Sequence, residues 1–402
     1  MAQKATLLFL GASENQLPPI RYAKQRGYRI ITCDNRPTNP GHALADVSVP
    51  VSTTNLDAVL SVGRTEAIDG IVAYASDPAA PTAAYVAEQL NLPGNPYESV
   101  RTLAEKDLFR EFLRRHGFNA PTSESFIELR SATAWFRELS SPAFVKPVDS
   151  SGSKGVSRCD VTDDFRSAFK NAQRYSRSGR VIIETEIDSF GAQVAGDGFV
   201  VDGTLAYRAW ANENFNQRCN GLVPIGQTFP TSHSNDLLNR AESEFQRLLS
   251  LLEMQVGALN FDFVFRPDRE LQILELGPRN GGCRIPEAVK YWDGVDMIAA
   301  TVEAAIGNSV NLIPERPRDA FWATYVIHST RGGQFAGIDV AEELQDCVIE
   351  LDVSIRLGDA VRPFFGSDDT IGSAILRFDT QEQMESKIRE MDNLIAVKLE
   401  GD

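Results

Sequence analysis

The chain has 402 residues, 43% of them apolar and 24% charged, with a formal net charge of −15. That length holds roughly two to four domains of ordinary size, and the acidity works against a phosphate backbone or an anionic bilayer, since no basic run offsets it. No apolar stretch nears the roughly 20 residues of a spanning helix, and the opening Met-Ala-Gln-Lys carries no secretory pattern. Neither nucleic acid nor a membrane is therefore expected as a partner, and a cytoplasmic location is. Five scattered cysteines with no CxxC pair argue against a disulfide framework and a thiolate zinc site.

Residues 5–10 read as a short buried strand entering Gly11-Ala12-Ser13, followed by a helix over 16–27 that a glycine stops. Strands over 28–33 and 70–74 alternate with helices over 56–64 and 79–90, which predicts a parallel sheet with helices on its faces. The Pro93-Gly94-Asn95-Pro96 turn closes this unit. One helix is expected over 99–116. Short strands over 143–145, 181–184, 193–201 and 205–210, with a helix over 163–175, then give an α+β pattern. A helix over 237–252 leads into strand-like segments 257–265 and 271–276, whose Arg-Pro-Asp-Arg turn predicts an antiparallel hairpin. A second linker lies at 314–317, before strands over 323–328 and 371–378 and a last helix over 381–391. The units expected are 1–95, 96–187, 188–313 and 314–402.

The first glycine turn is not a dinucleotide fingerprint. That motif needs three glycines as G-x-G-x-x-G, and Gly11 is followed by Ala12, Ser13, Glu14, Asn15 and Gln16. A stronger candidate is Ser150-Ser151-Gly152-Ser153-Lys154-Gly155, whose small residues let backbone N–H groups approach phosphate oxygens. It follows a strand that carries Lys146 among apolar residues, where an ammonium needs an anion unless it lies on the solvated face of an edge strand. Lys106 opens a helical segment; taken alone, it reads by default as a surface lysine.

Asp262 and Glu275 sit inside the two apolar strands of the expected hairpin. Two neighbouring buried carboxylates repel each other, and Mg2+, which favours one or two carboxylates plus waters and phosphates, removes that cost. An ion pair with Arg279 is the alternative. Arg279 lies in the turn Gly277-Pro278-Arg279-Asn280-Gly281-Gly282 and is suited to a bidentate grip on carboxylate or phosphate. The four histidines show no ligand spacing, and Cys283 reads as a small packing residue.

In order and spacing these pieces resemble the ATP-grasp carboxylate ligases, a group that includes biotin carboxylase and carbamoyl-phosphate synthetase, most closely the amino-acid ligase branch. The resemblance implies an N-terminal parallel-sheet domain, a small lid subdomain, a large antiparallel-sheet subdomain and a C-terminal α+β extension. It implies that Lys106, Lys146 and the loop Ser150, Ser151, Gly152, Ser153, Lys154 and Gly155 hold ATP phosphates. Glu184, Glu186 and Ile187 match the hinge strand that reads adenine, Gln193 the ribose-binding position, and Asp262 and Glu275 the carboxylates for Mg2+, two ions or Mn2+ in their place. The common Glu-x-Asn-x-Arg motif is here Glu275-Leu276-Gly277-Pro278-Arg279, so one metal ligand is missing; Asn280 or water could replace it. Arg279 and Lys146 match catalytic positions. Arg208, Asn280, Gly281, Gly282 and Arg284 are candidates for holding the acid substrate.

The implied chemistry is ATP-dependent and ADP-forming: a carboxylate becomes an acyl phosphate and an amine displaces the phosphate. The partners implied are small-molecule carboxylate and amine substrates, with a homodimer as one option for assembly. A carboxyphosphate or thioester product, and an ATP-binding module without turnover, remain open alternatives.

Overall fold

The computed structural model describes residues 4–160 and 162–401; the opening Met1-Ala2-Gln3 of the secretion reading lies outside them. The expected parallel sheet is present, with four strands in the order Val47–Val49, Arg29–Cys33, Thr6–Leu10, Gly70–Val72. Near-continuous apolar runs such as TLLFL, buried throughout, suit strands covered on both faces. The chain winds outward from the first strand and then returns to its other side, so the strand ends of Thr6–Leu10 and Gly70–Val72 flank a topological switch point.

A four-stranded antiparallel sheet follows in the order Ser123–Phe126, Val181–Thr185, Ala143–Pro147, Ser157–Cys159. Its apolar face packs on helices Leu129–Phe136 and Thr162–Tyr175 through Phe136 and Phe169. An eight-stranded sheet forms the large body. Its first members are Leu271–Gly277, Gly257–Phe265, Phe190–Val201, Thr204–Phe215 and Pro224–Phe229, and the chain beyond the 314–317 linker adds Phe321–Ile327, Gly372–Phe378 and Val348–Val353. A three-stranded sheet of Ala360–Val361, Gly333–Val340 and Ile395–Leu399 sits beside it.

The single helix expected over 99–116 is two. Tyr97–Ala104 stops and Lys106–Arg115 begins, with Glu105 extended between them (φ −105°, ψ 113°). The break has a local cause: the Lys106 N–H donates to the carbonyl of Val148 at 3.0 Å instead of to the preceding turn, and Glu105 and Asp107 both pair with Arg180. Tertiary bonding here overrides a continuous helical pattern. Strands also run longer than the sequence pattern indicates. Asn212 and Asn214 pair with Thr228 and Gly226, so the loop between these strands is confined to residues 216–223.

Candidate active site

The expected antiparallel hairpin forms. Gly257–Phe265 and Leu271–Gly277 are antiparallel, Asp262 lies directly opposite Glu275, and Arg269 takes the left-handed turn position (φ 68°). Alternation along each strand then puts Asn260, Asp262, Glu275 and Gly277 on one face.

That face closes one side of a cavity of about 310 Å3 between the four-stranded antiparallel sheet and the large sheet. Its walls bring together Lys106, Lys146, Ser150, Ser151, Gly152, Ser153, Lys154, Glu184, Glu186, Ile187, Gln193, Asp262 and Glu275. The loop turns tightly, with Gly152, Ser153 and Gly155 all left-handed (φ 65°, 55° and 75°). Its closed position is held from the large body: Ser153 Oγ donates to the carbonyl of Leu222 at 2.8 Å, and Lys154 Nζ lies 2.9 Å from Asp368.

Lys106 Nζ donates to the Ser150 carbonyl at 3.1 Å and stands 3.7 Å from Glu275, so the helix start, the lid loop and the hairpin meet at one ammonium. Lys146 points inward and donates to Glu184 Oε2 at 2.8 Å. Glu184 is also 2.8 Å from Arg110 Nε, both side chains being almost wholly buried. Burial alone would raise the Glu184 carboxyl, but Arg110 and Lys146 overcome it and hold it down at about 2. Glu184 is therefore a fixed anion organising two cations. Glu186 is forked by Arg158, both bonds 2.7 Å.

Gln193 donates from Nε2 to Asp262 Oδ1 and Glu213 Oε2, each at 2.7 Å, and so ties its amide to the carboxylates. Burial and the nearby Glu275 push Asp262 up to about 7, and burial with Asp262 pushes Glu213 well above the usual range. Such a surplus of like charge, wedged apart by a neutral amide, fits a divalent cation. Among the described residues no three His, Cys, Asp or Glu gather closely enough to hold a metal, so a cation beside Asp262 and Glu275 would need waters and phosphates to complete its shell. Because protons compete for Asp262, metal affinity measured without nucleotide, with Mn2+ as an EPR probe, is expected to fall about tenfold per pH unit below pH 7. A flat profile from pH 5.5 to 8 would contradict this.

The remaining candidates lie outside this cavity. Arg208 pairs with Glu242 at 2.6 Å and stacks over Trp210, with its centre 5.1 Å from the ring. Arg284 pairs with Glu350 and is 3.9 Å from Glu287. Gly281 N–H donates to both oxygens of the buried Asp197 at 2.9 Å. Asn280 is 1% exposed, and its Oδ1 accepts from Thr301. Cys283 is exposed rather than packed, in a left-handed conformation like Arg284.

Three residues escaped the sequence reading: Arg110, Glu213 and Asp77. Asp77 meets Arg279 from the first sheet, Oδ1 and Oδ2 each 2.7 Å from the guanidinium. The alternative of an Arg279 bridge to the hairpin carboxylates is not adopted.

No family model matches the chain. The uncharacterized protein y4rH of Sinorhizobium fredii is 27% identical over 280 residues, 67% of this chain and 56% of that protein, so the match spans under two thirds of the relative's length. Among solved structures, the L-amino acid ligase from Bacillus licheniformis superposes with a TM-score of 0.81 at 20% identity, all of both chains being covered. The biotin carboxylase domain of the Hydrogenobacter thermophilus 2-oxoglutarate carboxylase, solved with MgADP and bicarbonate, gives 0.73 at 14% identity over 99% of this chain and 91% of that one. The chain has the ATP-grasp fold. In ATP-grasp terms the cavity lies between lid and large subdomain, with the parallel-sheet domain against the far end of the hairpin. No helix among the described residues is long and apolar enough to cross a membrane.

Proposed function

We propose that the chain is an ADP-forming ligase that activates a small carboxylic acid as an acyl phosphate and joins it to an amine. The observation that carries this reading is the convergence of two lysines, a Ser/Gly loop and two facing carboxylates on one cavity; the likeness to an L-amino acid ligase supports the amide-forming branch.

In the first step a substrate carboxylate oxygen attacks the γ-phosphorus of ATP, the bond to the β,γ-bridging oxygen breaks, and ADP leaves. In the second an amine nitrogen attacks the acyl carbon, the carbon–oxygen bond to phosphate breaks, and phosphate departs, taking up the proton that the nitrogen loses. Both steps need positioning and charge neutralisation more than a nucleophilic side chain. Lys106 and Lys146 supply fixed positive charge, and the backbone N–H groups of residues 150–155 line the triphosphate. Asp262 and Glu275 would hold Mg2+, which would supply further charge neutralisation to the phosphoryl transfer. The Lys154 and Ser153 contacts keep the loop down and exclude water, which would hydrolyse an acyl phosphate.

Purified protein incubated with ATP, Mg2+ and a panel of amino acids in pairs should release ADP and phosphate in equal amounts only with a productive pair. Failure of every acid and amine pair to raise ADP release above the protein's basal rate would sink the reading.

A further inference from the structure

The Glu-x-Asn-x-Arg pattern lacks its asparagine here, and the space beside Gly277 is already taken. A Cβ at position 277 would lie 2.9 Å from Asp77 Oδ1 and 3.2 to 3.3 Å from the Arg279 guanidinium. Any side chain at 277 would therefore displace the Asp77–Arg279 pair. Gly277 carries no left-handed φ, so close approach, not backbone conformation, is what excludes a side chain.

The pair is closely defined. Arg279 Nε and Nη2 each donate to one Asp77 oxygen at 2.7 Å, and Nη1 donates to Asn260 Oδ1 and the Asn280 carbonyl at 2.9 Å. Both charged side chains are only 13% exposed. A bidentate fork of this kind fixes the guanidinium plane as well as its charge. Asp77 comes from the turn just after the Gly70–Val72 strand, 202 residues away in sequence. Burial opposes its charge, but Arg279 and then Lys106 hold it below the usual carboxylate range. Lys106 also faces Glu275, so the pair borders the same cationic corner as the proposed phosphate site.

We infer that Asp77 is a positioning residue for the phosphoryl-transfer step: it takes the room of the missing asparagine and aims Arg279 at the phosphoryl group. The inference rests on the ATP-dependent reading above. Its physical consequence is that the phosphoryl end of the site is complete only when the parallel-sheet domain is docked, whereas the lysines and the lid loop hold nucleotide without it.

The test separates holding nucleotide from gripping the phosphoryl group. MgADP binding is measured calorimetrically with and without aluminium fluoride, which mimics the transferring phosphoryl, for the full chain and for Asp77→Asn. A site complementary to the transition state binds its analogue at least about 100-fold more tightly than the ground state. The wild type should show that gain, and Asp77→Asn should lose most of it while its MgADP affinity moves by less than about threefold. A double variant, Asp77→Ala with Gly277→Asp, returns a carboxylate to Arg279 from the hairpin itself and should recover part of the gain. Thermal unfolding of each variant reports the structural role separately, because a merely structural pair would lower the melting temperature and leave the gain intact. Asp77→Asn retaining the full gain, or a wild type that binds MgADP with no gain, overturns the inference and leaves the nucleotide site standing. A wild type that does not bind MgADP overturns the ATP reading, and this inference with it.

Discussion

Glu275→Ala is expected to reduce ADP formation on the order of 1000-fold or more while leaving the protein folded. The expectation follows from what the carboxylate touches. Glu275 faces Asp262 across the hairpin and lies 3.7 Å from Lys106, so its removal takes away half of the proposed metal pair. Losing one preorganised charge-stabilising group at a transferring centre costs about 100- to 1000-fold, and losing a direct metal ligand is the more severe change. Stability should move little. The Lys106–Glu275 contact is loose and the glutamate side chain is 36% exposed, which puts its worth within about 1 kcal/mol. The like-charge strain on Asp262 is also relieved, because Glu275 is one of the groups that raise it. The pH dependence of the remaining metal binding should consequently shift to lower pH in the variant. ADP release, thermal unfolding and Mn2+ binding between pH 5.5 and 8 check the three parts; full turnover in Glu275→Ala would remove the metal assignment.

What the sequence made legible was local. The hairpin was readable because two apolar strands with one carboxylate each flank an Arg-Pro-Asp-Arg turn, and alternation then fixes which side chains share a face. The lid loop was readable from Ser and Gly composition, and Lys146 from its position as a charge in an apolar strand. Asp77 and Glu213 left no such mark. Asp77 precedes Pro78 after a short strand and looks like any turn aspartate, and its meaning depends on a partner 202 residues away. Glu213 lies beyond the strand expected over 205–210, in a stretch that pairs in the sheet. Arg110 did leave a signal. It stands four residues after Lys106 on a helix whose Phe109 and Leu113 are buried, so both cations lie on one side of that helix. A charged residue on the inward side of an amphipathic helix asks for a buried partner, and Glu184 on the adjoining sheet is that partner.

Loss of Arg110 should therefore cost substantial stability. Its side chain is 2% exposed and that of Glu184 3%, with a further bond from Arg110 Nη2 to the Leu274 carbonyl at 2.7 Å. It thus joins the helix after the first linker, the lid sheet and the hairpin strand that carries Glu275. Arg110→Met preserves much of the volume but leaves Glu184 buried with Lys146 as its one remaining cation, and breaking a buried pair in this way costs about 3–5 kcal/mol. Against a total stability of about 5–15 kcal/mol, that is a substantial fraction. The cost lies in the stranded charge and not in the lost attraction, so Arg110→Met with Glu184→Gln should be less destabilised than Arg110→Met alone. The sign with pH also follows. Glu184 is held at about 2 in the wild type by Arg110 and Lys146, a depressed value whose stabilisation is present above the ordinary carboxylate range and is lost as pH falls toward 2. In Arg110→Met the larger of the two cationic influences is gone, so Glu184 should take up its proton at higher pH and the penalty should shrink on acidification. Urea unfolding of the wild type, both single variants and the double variant at pH 5 and pH 8 measures the coupling energy directly; equal destabilisation at both pH values, with no recovery in the double variant, would assign the loss to packing and remove Glu184 as the reason Arg110 is there.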